Sequence, residues 1–80
     1  MSTYCLTYDV ASGNQERAKE DLLEAGFSDS MKGTPFPESA VAIDTDAGFD
    51  RVKSMVKGLL RPHDPSRWLL VRSLRMSWTD

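Results

Sequence analysis

The residue best placed to do chemistry is Asp9, which closes an alternating run from Thr3 to Val10, directly after Tyr8 and just before a short loop. Strand ends that face loops are where sites are often built, because a rigid element aims the side chain while the loop leaves it open. A carboxylate there can cap the following turn or helix, or give its oxygens to a hard cation. Few other side chains compete. His63, between Pro62 and Asp64, has the residue type of a general base, but a lone loop histidine is in most chains simply solvated. Cys5, in mid-strand, reads as a packed small residue rather than a nucleophile. Trp68 and Trp78 can stack bases beside Arg67, Arg72 and Arg75, or else pack in a core or a dimer interface. Lys53, Lys57 and Arg61, with Arg51, make a basic helix face that suits phosphate or an acidic partner.

The elements that must position these residues follow from periodicity. In 3–10 the residues Tyr4, Leu6, Tyr8 and Val10 point one way and Thr3, Cys5, Thr7 and Asp9 the other, which is a half-buried strand. Ser12 with Gln15 three residues on has the form of a capping box for a helix starting near Asn14. In that helix Ala18, Leu22 and Ala25 share a face, Leu23 lies off it, and Gly26 sits where a left-handed cap is wanted. Residues 27–34 carry a weak edge-strand signal. After Pro35-Phe36-Pro37, which cannot sustain a ladder, 39–44 resumes as a strand of small and β-branched residues.

Asp44-Thr45-Asp46 supplies N-cap candidates for a second helix that runs to about Leu60 and stops at Arg61-Pro62. Phe49, Val52, Met55, Val56, Leu59 and Leu60 fall within an arc of about 140° on that helix. This stripe, Phe49 included, is expected in the core. Residues 67–78 then form one long strand or two short ones, with Trp68, Leu70, Leu74, Met76 and Trp78 mostly on one side. The order is β-α-β-β-α-β. It predicts an α+β, ferredoxin-like domain over 1–80: a four-stranded antiparallel sheet with both helices on one face. The sheet's other face would then be uncovered and used, as a dimer surface or a ligand platform.

Eighty residues with 40% apolar content can build one core. The single cysteine excludes an internal disulfide, a thiolate zinc cluster and a CxxC pair, and fits a cytoplasmic setting. The N-terminal segment has neither the basic n-region of a signal peptide nor a run long enough to span a membrane, so no membrane role is expected. Net charge is only −2. Residues 1–50 nevertheless carry three basic and ten acidic side chains, and 51–80 seven and two, so the two parts stand at −7 and +5. Such asymmetry marks a basic surface for phosphate, or two surfaces that meet in an oligomer.

The run YCLTYDV, an acidic amphipathic helix ending in Gly, PESAVAI and a second helix together resemble the small CRISPR-adaptation endoribonuclease-like family and its VapD-like and SinR-like relatives. The resemblance covers roughly residues 3–60. It rests on Tyr8 and Asp9 for the strand-end pair, and on Glu38, Ser39, Val41 and Ile43 for the third-strand run. It implies a homodimer in which Asp9 of two copies would hold a divalent metal such as Mg2+ for phosphodiester hydrolysis. Asp9 is then the catalytic and metal-binding residue. Tyr8, Ser39, Lys53, Lys57, Arg61, Arg72 and Arg75 are the expected nucleic-acid or partner contacts.

Three functions therefore stand: a metal-dependent, nuclease-like homodimer or an inactive relative of one; a protein-interaction module; and a nucleic-acid binder using the second helix and the last strand. The module would be a phage-encoded, anti-CRISPR-like inhibitor or a toxin–antitoxin component. The acidic first helix is a poor lining for a nucleic-acid channel, which keeps the module open.

Overall fold

The computed structural model describes residues 2–31, 33–36 and 39–73. Glu38, Arg75, Leu74, Met76 and Trp78 lie outside them. The elements in chain order are β1 (Ser2–Val10), α1 (Gln15–Glu24), β2 (Ser30–Met31), β3 (Thr34–Pro35), β4 (Ala40–Thr45), α2 (Phe49–Leu60) and β5 (Pro65–Ser73). A turn of 3-10 helix, Arg61–His63, joins α2 to β5.

Strand β1 is the middle of a three-stranded antiparallel sheet ordered β4-β1-β5. The alternation read from 3–10 is what the fold uses. Tyr4, Leu6, Tyr8 and Val10 are buried, and they form one cluster with Ala18 and Leu22 of α1 and Val52, Val56 and Leu60 of α2. Both helices therefore cover the same face of β1. Burying these side chains is the main favourable term in a chain of this size.

Among the described residues the four-stranded sheet expected from the sequence is reduced to three strands. The stretch 27–34 contributes a single antiparallel bridge, with Ser28 exchanging two backbone hydrogen bonds with Ala42, at 2.7 and 2.9 Å. The chain then leaves the sheet as a two-stranded hairpin, β2 with β3, closed by Phe36 N–H donating to Asp29 C=O at 2.8 Å. Ser, Asp, Lys and Gly in this stretch offer no apolar side chains to pack on a sheet face, so pairing stops after one bridge.

Both helix starts differ from the sequence reading. No side-chain hydrogen bond caps α1, whose N-cap is Asn14. Gln15 instead accepts a hydrogen bond from the Ser39 hydroxyl at 3.1 Å, so the Ser12–Gln15 capping box is not formed. Asp44 and Thr45 belong to β4, and the N-cap of α2 is Gly48. Thr45 Oγ1 accepts from the Ala47 N–H at 3.2 Å, so it closes the turn between β4 and α2 rather than capping the helix.

The helix ends follow expectation. Gly26 has φ +110° and its N–H donates to Leu23 C=O, while Phe27 N–H donates to Leu22 C=O. This is a Schellman cap, and Phe27 is buried as the apolar residue that accompanies it. Helix α2 stops where Pro62 removes a donor. Phe49 corrects the core expectation: at the first turn of α2 it overhangs the core and is 39% exposed, its ring tilted against Tyr4 with centroids 6.1 Å apart.

Candidate functional site

Three chain segments converge at one end of the sheet: the close of β1, the turn into β4, and the start of β5. Tyr8 N–H donates to Ser39 C=O at 3.1 Å, and Asp9 stands opposite Arg67 in the β1–β5 register. The register shifts between Asp9 and Val10, which pairs with Pro65, so Ser66 is the extra residue of a bulge. Its hydroxyl donates to the Asp9 C=O at 3.2 Å. Bulges re-aim side chains at strand ends, and here the neighbours are a carboxylate and a guanidinium.

The result is an open cleft of about 500 Å³ lined by Thr7, Tyr8, Asp9, Ser39, Arg67 and Trp68, with Leu69 at its side. Tyr8, Asp9 and Ser39, singled out from the sequence as separate short motifs, meet here. Arg67 Nε lies 3.8 Å from Asp9 Oδ2, and both side chains are largely in water. An exposed pair of this kind is weak, so either partner can turn to a ligand at little cost. Ser39 is held from behind by Gln15, the side chain released from the capping role.

The remaining expected contacts do not join this cleft. Lys53 and Lys57 on α2, and Arg61 at its C-cap, are exposed on the opposite side of the sheet from Asp9. Arg72 is exposed and pairs in register with Tyr4, five residues along β5 from Arg67 and about 17 Å away. Arg75 lies outside the described residues.

The fit of a divalent cation is poor within one chain. Among the described residues no three His, Cys, Asp or Glu side chains are grouped so as to hold a metal. Asp9 supplies one carboxylate, and its charged neighbour is a guanidinium. A hard cation needs more oxygen ligands than that, so a metal at Asp9 would require a second copy of the chain to supply the rest.

The uncovered sheet face continues from the cleft. It carries Cys5 and Thr7 of β1, Ala40 of β4, and Leu69 and Val71 of β5, with Cys5 paired to Val71 and Thr7 to Ala40 and Leu69; Ala42, opposite Cys5 in the register, is buried. Leu69 is 61% exposed and Val71 46%. Burial pushes the Cys5 thiol up, by desolvation of the thiolate, which supports its reading as a packed residue.

His63 departs most from the sequence reading. It is buried, not solvated, and its Nε2 lies 2.6 Å from Asp21 Oδ2 of α1. Its C=O accepts from Asn14 Nδ2 at 3.0 Å. The histidine ties the turn before β5 to both the start and the middle of α1. It is a structural clamp across the helix layer, and no local pattern around Pro62-His63-Asp64 signals it.

Comparison with protein-family models, with curated proteins and with solved structures returned no match. No helix among the described residues is long and apolar enough to cross a membrane.

Proposed function

We propose that this chain is a homodimeric, nuclease-like protein of the ferredoxin-like type, with the strand-end cleft around Asp9 as the place where a phosphodiester would lie. The observation that carries this reading is the convergence of Tyr8, Asp9 and Ser39, from one strand and a turn, beside Arg67 and Trp68 of a second strand. A carboxylate and a guanidinium at one cleft are parts needed to meet a cation and a phosphate, while the Trp68 side chain, paired in register with Tyr8, packs against the core. The ferredoxin-like assignment is supported by the strand order β4-β1-β5 with both helices on one face, and by Ser28 bridging the outer edge of β4 in place of a full fourth strand.

The dimer is part of the proposal because Asp9 shares its sheet face with Leu69 and Val71. Two copies joined over that face would cover the exposed apolar side chains and bring a second carboxylate within range of the first. Any metal the pair holds would act as a Lewis acid on phosphate. The chain's own contribution would be Asp9 as oxygen ligand, with Arg67 placed to meet a phosphate oxygen.

The deciding experiment is cleavage of labelled RNA and DNA with and without Mg2+ or Mn2+, by wild type and by Asp9→Asn. Cutting that needs the metal and is lost in Asp9→Asn, with fold and oligomeric state intact, supports the reading. No metal-dependent cutting by wild type, or equal cutting by the variant, ends it. The protein-interaction module then takes its place, since exposed Leu69 and Val71 suit a protein partner as well as a second copy.

A further inference from the structure

The outer face of α2 is left unexplained by both the core and the cleft. Lys53 and Lys57 on it and Arg61 at the C-cap, which keeps helical φ and ψ, recur every four residues and are all exposed, so their side chains project in a row with a rise of about 6 Å between them. Arg51 lies further round the same outer face. Asp50 is the one carboxylate of the helix, in its first turn. Among the described residues none of these four cations makes an ion pair.

Structural uses do not account for the row. Like charges four residues apart on a helix repel and destabilise it. The macrodipole favours cations at the last turn, which suits Lys57 and Arg61, but it disfavours Arg51 and Lys53 near the first. Gly58, exposed between Lys57 and Arg61, is a poor helix former, and a side chain there would meet nothing within 4 Å. Packing therefore does not require that glycine. Together with exposed Ser54 it leaves the helix surface low beside the row of cations, so that a bulky backbone could lie against it.

We propose that this face of α2 is a binding surface for the phosphate backbone of a nucleic acid, separate from the Asp9 cleft. A regular linear row of cations fits a polymer whose charge is itself regular and linear, while an acidic protein presents scattered carboxylates. The contacts are to phosphate, so binding is independent of base sequence. The acidic outer face of neighbouring α1, with Glu16, Glu20 and Glu24 exposed, confines the polyanion to the α2 side. The row and the open sheet face lie on opposite sides of the sheet, so nucleic acid on α2 is compatible with a dimer formed over Leu69 and Val71.

The test is fluorescence anisotropy of labelled duplex DNA and single-stranded RNA of mixed sequence, titrated with full-length protein at several salt concentrations. Each lost phosphate contact removes about 0.9 from the slope of log K against log salt on duplex, and weakens binding about fivefold or more near 0.1 M salt. The triple variant Lys53→Gln, Lys57→Gln, Arg61→Gln is therefore expected to bind more weakly by about 100-fold or more and with a flatter salt slope, while keeping its circular dichroism and melting temperature. Arg17→Gln, which removes a cation from α1 instead, is expected to bind like wild type, so a loss confined to the triple variant assigns the contacts to α2, and the readout is binding rather than cleavage. Wild-type affinity in the triple variant overturns it. So does displacement of the nucleic acid by polyglutamate at equal charge concentration, which would assign the face to an acidic protein.

Discussion

Replacing Leu69 by Lys separates the stability of the protomer from that of its proposed dimer. The side chain stands on the uncovered face of β5 opposite Thr7, and 61% of it is already in water. Full burial of a leucine stabilises by about 1.5–3 kcal/mol, so covering what remains exposed is worth about 1–2 kcal/mol per copy. A two-fold interface uses the same residue twice, and the change would therefore weaken association by about 2–4 kcal/mol, before any repulsion between the two new lysines. At 1.4 kcal/mol per tenfold, that is about 30- to 1,000-fold in Kd. The folded protomer loses little, because a surface substitution of this kind is usually within about 0.5 kcal/mol. Sedimentation velocity from about 1 to about 100 µM, with urea unfolding of the same samples, reads the two quantities separately. A variant that dimerises like wild type, or a wild type that stays monomeric throughout the range, would refute the assignment of this face and remove the two-copy metal site with it.

Two further substitutions check the core and the helix clamp. Leu22→Ala, at a fully buried position, is expected to destabilise by about 2–5 kcal/mol, and Phe49→Ala, at 39% exposure, by only about 2 kcal/mol; equilibrium urea unfolding that ranks Phe49 above Leu22 would contradict the packing described here. Asp21→Ala leaves buried His63 without its carboxylate partner and should destabilise by about 1–2 kcal/mol, less than a fully buried pair because Asp21 is itself half in water. An unchanged melting curve would show that the clamp contributes nothing.

What the sequence determined by itself was local. Strict alternation in β1 has only one consistent meaning, so the buried faces of Tyr4, Leu6, Tyr8 and Val10 and the outward aim of Asp9 were legible without coordinates. The apolar arc of α2, its stop at Pro62 and the cap at Gly26 were equally plain, since each depends on neighbours within a turn or two of helix. The pairing of Asp9 with Arg67 was not legible. The two residues are 58 positions apart, and strand register across that distance depends on the whole sheet and on a bulge at Ser66, not on the period of either strand. Phe49 matched the helical stripe by angle, but its exposure depends on where the first turn of α2 ends relative to Tyr4, which periodicity does not encode. His63 looked like a solvated loop residue because its partner, Asp21, reads locally as one more charge on an acidic helix. Only the packing of α1 beside the turn that precedes β5 brings the two within 2.6 Å, because a partly buried polar pair is created by tertiary contact and leaves no trace in the local pattern of either segment.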